Sequence, residues 1–173
     1  DFQELQQEGS YLVMNRSSTD LPIPDCSVDT IITDPPYGSN VQYAELSAVW
    51  NAWYSLFSGL NGYIFRDEEA VMNRKIKVKG AKTELDYEEL LYRIFTECYR
   101  VLKEDGSMWY NHKNRIKDGK QITPYEWLLN TDFIIKQEVI WFNRSQNFDK
   151  CRFYPMTERL YWLTKSPKTK MFN

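Results

Sequence analysis

VDTIITDPPY, Val28 to Tyr37, is the stretch that decides how this chain is read. Val28–Thr33 is β-branched and nearly all apolar, the composition of a strand covered on both faces. It runs straight into a carboxylate, two prolines and an aromatic ring. A strand end needs only a turn residue, yet here the backbone is stiffened twice, because each proline fixes its own φ and lacks an N–H. In open α/β sheets, ligands gather in the crevice beyond the carboxyl ends of the strands, which is where Asp34 stands.

Working outward, the order of patterns is mostly strand, helix, strand, which predicts an α/β domain. Upstream, YLVMN (Tyr11–Asn15) reads as a short apolar strand, and the proline-marked LPIPDCS connects it to VDTIIT. Downstream, Leu46, Val49, Trp50, Trp53 and Phe57 form one stripe of a helix. Residues 58–83 have no clear period and many charges, so they are expected to be a long insertion loop. A second helix is predicted from about Asp86 to Leu102, with Leu90, Leu91, Ile94, Phe95, Cys98 and Leu102 on its apolar face and Asp86 with Glu89 as a capping pair. EDG then turns the chain into the strand SMWYN. Thr123-Pro124-Tyr125-Glu126 opens a short helix, with Thr123 as cap and Glu126 closing the box. FIIKQEVIWF and ERLYWLTK are strand-like with no helix-length segment between them, so they should pair antiparallel.

The composition fits one globular domain over residues 1–173, with 42% hydrophobic and 27% charged residues. A net charge of −2 gives no global basic field, so a nucleic-acid partner would need a local patch. NRKIKVKGAK (Asn73–Lys82), with Arg74, Lys75, Lys77 and Lys79, is one; it could track phosphates or be a solvated loop. Aromatics reach 16%; most should be core, while Tyr43 and the helix rings could present a stacking surface. Three scattered cysteines make neither a disulfide framework nor a zinc pattern, and no apolar run is long enough to span a bilayer. A cytoplasmic protein is expected. The lone histidine, His112, is expected to be structural, and Arg144, Asn147, Arg152 and Arg159 are candidates for either DNA contact or surface pairing.

Asp34 and the carbonyl of Pro35 can accept both N–H bonds of an exocyclic amine on a planar substrate, while Tyr37 stacks on its face. An aryl amine is a poor nucleophile because its lone pair is delocalised. Acceptors on both hydrogens favour a pyramidal nitrogen with its lone pair aimed at an electrophile, which is positioning and electrostatics more than proton abstraction. The plain alternative is a strand-terminating turn; the preceding apolar strand and following helix weigh against it.

SVDTIITDPPYGSN resembles the catalytic motif of the DNA amino-methyltransferases, the adenine-N6 and cytosine-N4 enzymes. ECYRVLKEDGSMWYN resembles the family's next helix–turn–strand, and QEVIWFNRSQNFDKCRFYPMTERLYWLTKSP its late hairpin, in family order. The resemblance implies a Rossmann-like methyltransferase sheet with a reversed last strand, S-adenosylmethionine as methyl donor, no metal, and a flipped DNA base as substrate. It assigns Asp34 and Pro35 to the target amine, Pro36 to the turn and Tyr37 to stacking, with adenine N6 favoured. RNA or a protein glutamine amide are alternative substrates, and a silent nucleic-acid-binding half is an alternative of another class.

The family's glycine-rich cofactor loop is nowhere among the seven glycines, and Asn15 stands where an acid often contacts the cofactor, leaving Asn15 and Asp34 as cofactor candidates. The strands carrying that loop would sit between Tyr11–Asn15 and Val28–Thr33. Without them these two strands are expected to flank a gap with unpaired edges. The chain is therefore expected to be the catalytic half of a permuted enzyme, its sheet incomplete and finished by a missing segment or a second chain; one continuous sheet in the single chain would count against the gap.

Overall fold

The computed structural model describes residues 9–14, 16–35, 84–142, 144, 151–153 and 156–169. The chain divides into two compact units, Asp1–Asp34 with Leu90–Asn173, and Pro35–Glu89. Of the second, Pro35 and the first turns of one helix are described.

The first unit is built on strand β1 (Val28–Thr33), helix α1 (Glu84–Val101, which begins in the second unit), strand β2 (Leu102–His112), a small hairpin of β3 (Arg115–Lys117) and β4 (Lys120–Ile122), the single-turn helix α2 (Tyr125–Leu128), and strands β5 (Ile134–Phe142) and β6 (Thr157–Thr164). Four strands form one sheet in the order β1-β2-β6-β5. β1 and β2 are parallel, and β6 is antiparallel to both β2 and β5. The predicted α/β class and the final antiparallel hairpin are thus both present.

One sheet face carries the core. Met108, Tyr110 and His112 alternate along β2 onto that face and are buried with Tyr161 and Leu163 of β6. The apolar face of α1 (Leu91, Ile94, Phe95, Cys98) is buried as its spacing predicts. Phe95 meets Tyr110 edge to face at 5.0 Å. Trp127 of α2 donates its indole N–H to the Tyr110 hydroxyl at 3.2 Å, which satisfies two polar groups in the core. The end of α1 is tied to the segment before β1: Cys26 and Ser27 donate backbone N–H bonds to the carbonyls of Arg100 and Val101. Arg100 adds bonds to Asp25, Glu97 and the carbonyls of Leu21 and Ile23.

Several expectations are corrected. Tyr11–Met14 is not a strand; no described strand pairs with it, and Tyr11 and Val13 are exposed. The gap flanked by two strands therefore does not form, and the sheet is continuous over its four strands. β1 is not covered on both faces either: Ile32 is 81% exposed, because β1 is the edge strand and nothing described overlies that side. Glu104-Asp105-Gly106 is not a turn between elements but an irregularity inside β2, where Val28 pairs with Leu102 and Thr30 already with Ser107. Asp86 lies inside the first turn of α1 rather than at its cap. Thr123 does not cap α2 with its side chain; Pro124 holds the cap position, and the carbonyls of Thr123 and Pro124 accept the first N–H bonds. The β3–β4 hairpin was not expected, although Asp118-Gly119 is a two-residue turn signal, and both residues have positive φ (51° and 75°).

Candidate functional site

β1 and β2 run parallel, so their carboxyl ends open on the same end of the sheet. Antiparallel β6 begins there and β5 ends there, since His112 pairs with Arg159 and Phe142 with Thr157. Asp34, Asn111, His112, Glu158, Arg159 and Trp141 consequently collect at one end although they lie far apart in sequence.

Asp34 follows Thr33, which pairs with Tyr110, so it stands beside Asn111 at the end of β1. Its side chain is exposed. Because it precedes Pro35, its backbone is held extended, and the alternation of the strand continues through it. Asp34 thus shares the face of Thr30 and Ile32, and Ile32 pairs with Trp109. This is the face opposite the core, where Trp109 stacks on Trp162 with centroids 5.7 Å apart and planes 9° from parallel. Lys136 lies over the Trp162 ring at 5.8 Å.

On that same face, the Asn111 amide donates to Glu158 Oε2 at 2.8 Å, and Lys113 Nζ lies 2.8 Å from Glu158 Oε1. Asn111 and Glu158 are 7% and 8% exposed. The sequence reading missed both, and the signal was faint: a polar residue ending one apolar strand and another opening a second. On the opposite face, Arg159 pairs with Glu138 Oε1, and Glu138 Oε2 accepts the Tyr125 hydroxyl at 3.1 Å. Burial, with the Glu138 carboxylate beside it, raises the Tyr125 hydroxyl above its usual pKa. Arg159 therefore has an intramolecular ion pair, whereas Arg144 and Arg152 are exposed.

His112 is fully buried, its ring edge-on to Trp127 at 5.1 Å, and Nδ1–H donates to the Lys113 carbonyl at 2.5 Å. Burial lowers its pKa to about 4, helped by the Arg115 charge and opposed by the Lys113 hydrogen bond. The ring is a neutral structural group, in accord with its expected role.

Pro36, Tyr37, Tyr43, Arg74, Lys75, Lys77, Lys79, Asn15, Asn147 and the 58–83 insertion lie outside the described residues. Of the candidates for the amine site, the structure places Asp34 and Pro35. Among the described residues no cluster of His, Cys, Asp and Glu could hold a metal ion, and no helix is long and apolar enough to cross a membrane.

Residues 28–173 match the family model described as DNA methylase. The chain is 29% identical over 151 residues to the Type II methyltransferase M.HinfI of Haemophilus influenzae, covering 86% of this chain and 36% of that protein. It is 30% identical over 89 residues to the Type II methyltransferase M.SfiI of Streptomyces fimbriatus, covering 51% of this chain and 14% of that protein. Among solved structures, the PvuII DNA methyltransferase (cytosine-N4-specific) superposes with a TM-score of 0.56 at 15% identity, over 86% of this chain and 46% of that one. The fold is that of these methyltransferases, and this chain spans about a third of the length of M.HinfI and under half of the PvuII chain.

Proposed function

The chain belongs to the DNA methylase family, and from that premise we propose that it methylates the exocyclic amine of a base flipped out of DNA, adenine N6 in first place, with S-adenosylmethionine as donor. The observation that carries the reading is the position of Asp34: an exposed carboxylate, held extended by the following proline, at the end of a parallel strand. The amino nitrogen is buried inside a duplex stack, so the base must leave the helix to reach it. Asp34 then accepts one N–H of the amine and the Pro35 carbonyl the other, while Tyr37 stacks on the ring. The two acceptors draw the hydrogens to one side and leave the nitrogen lone pair directed away from them. The donor supplies a methyl group on a positively charged sulfur, open to in-line displacement. Of the described residues Asp34 fits that donor, because its carboxylate stabilises positive charge close by.

The open edge of β1 bears on the donor site as well. Ile32 is exposed there and no glycine-rich loop occurs in the sequence. Additional strands on that edge, from more of the same polypeptide or from a second chain, would complete the sheet and the cofactor pocket.

Adenine comes first because DPPY favours it in the enzymes this motif resembles. Cytosine N4 is the second reading, favoured by the likeness in fold to a protein whose name gives cytosine-N4 specificity. The test is to supply S-adenosylmethionine labelled in its methyl group together with DNA, RNA and protein. Label in DNA that is lost in Asp34→Ala supports the proposal; label in RNA or in protein glutamine in its place overturns it.

A further inference from the structure

Glu158 is a buried carboxylate at the open end of the sheet, and the mechanism above does not use it. A charge in such a place is costly unless it is paired and hydrogen-bonded. Here both oxygens are engaged, Oε1 by Lys113 and Oε2 by the Asn111 amide. The ionised carboxylate only accepts hydrogen bonds, so it fixes which way the carboxamide of Asn111 turns: Nδ2 must face β6. The trigonal geometry of the amide then puts Oδ1 on the side away from Glu158. The strand on that side of β2 is β1, and the residue beside Asn111 there is Asp34.

From this we infer that Asn111 is a specificity-determining residue of the amine site, presenting a fixed carbonyl acceptor next to the Asp34 carboxylate, with Glu158 and Lys113 as the positioning residues that hold it. The inference rests on the proposed amine-binding role of Asp34 and adds a reason for choosing among bases. Adenine and cytosine bring two N–H donors to such a pair of acceptors. Thymine and uracil bring a carbonyl oxygen to the same place, which sets acceptor against acceptor and leaves the site's buried polar groups without donors. Had the amide been free to rotate, Nδ2 could have turned to greet the keto oxygen and the discrimination would be lost.

The experiment uses this chain and short fluorescent oligonucleotides that are abasic at every position but one, which carries adenine, cytosine, thymine or uracil. Fluorescence anisotropy gives the ratio of affinities for amino over keto bases, while the phosphate contribution is common to all probes. Asn111→Leu keeps the volume and removes the acceptor. It should reduce the amino-over-keto ratio by about 3- to 10-fold, the worth of one net hydrogen bond, with little change for the fully abasic strand. Glu158→Gln keeps the packing but lets the amide turn, so it should reduce the ratio in the same direction. It also carries the test if Asn111→Leu does not fold. Asp34→Asn separates the two levels of the proposal. If it abolishes the preference while Asn111→Leu and Glu158→Gln leave it intact, the Asn111 inference fails and the amine-site reading stands. If the wild-type chain shows no preference, or Asp34→Asn leaves it unchanged, the amine-site reading fails and takes the Asn111 inference with it.

Discussion

Acidification should weaken this fold through a single imidazole. His112 is fully buried at the end of β2, and burial lowers its pKa from 6.5 to about 4. In the unfolded chain the same ring takes up a proton near its ordinary value, so between about pH 6.5 and 4 the unfolded state binds more protons than the native one. Stability must therefore fall as pH falls through that window, and the loss is complete near the folded pKa. At about 1.36 kcal/mol per pH unit the full effect is about 3 kcal/mol, a large share of a typical domain's 5–15 kcal/mol. Urea unfolding at about pH 7.5, 6 and 4.5 reads it directly, with most of the loss present at the lowest pH. His112→Gln should be less stable than wild type at neutral pH, having lost packing against Trp127, yet show a much flatter dependence over the same window. The C2 proton of His112, followed by NMR, should stay unshifted to well below pH 6. A titration midpoint near 6.5, or an equal pH slope in wild type and His112→Gln, would refute the burial argument.

A second acid-sensitive group has a different window. The Arg100 hydrogen bonds hold the Glu97 carboxyl below its usual 4.5, with the Leu21 N–H assisting and burial opposing. Its stabilisation is fully present above about pH 4.5 and is lost as pH falls below it, so Glu97→Gln should flatten only the lowest limb of the stability profile. Gly106→Ala should cost about 1–3 kcal/mol in a denaturant melt, because a Cβ there would stand 2.8 Å from Leu102 Cδ1 and 3.0 Å from the Asp29 carbonyl oxygen. Ile32→Lys should change the stability of this chain by no more than about 0.5 kcal/mol, since that side chain is 81% exposed; a loss of several times that amount would mean the β1 edge is covered in solution.

The parts of the fold that were legible in the sequence are those whose residues report their own environment. The stripe from Leu91 to Cys98 specified a helix and its buried side, and the β-branched runs of β5 and β6 specified strands with a short connection. The errors share one cause: a strand's hydrophobicity says that it can be buried, not what is present to bury it. Val28–Thr33 has the composition of a central strand but is an edge, and Tyr11–Met14 has the composition of a strand but no partner. The β3–β4 hairpin was legible in principle, since Asp118-Gly119 between two short runs is a strong local turn signal. At the candidate site, Asp34 and Pro35 were readable because proline and a carboxylate after an apolar strand are conspicuous in the chain. Asn111 and Glu158 were not, because they lie 47 positions apart and only the β2–β6 register brings them together.

The central claim is that the Asp34 end of β1 serves methylation of an amino group on a DNA base. The most direct measurement is nucleoside mass spectrometry of genomic DNA from a host without amino-methyltransferases that expresses the gene encoding this chain, beside the same gene carrying Asp34→Ala. The account predicts N6-methyladenine, or N4-methylcytosine on the second reading, in the first DNA and neither base in the second. Equal amounts in both, or neither base in either while the protein is expressed and folded, would contradict it.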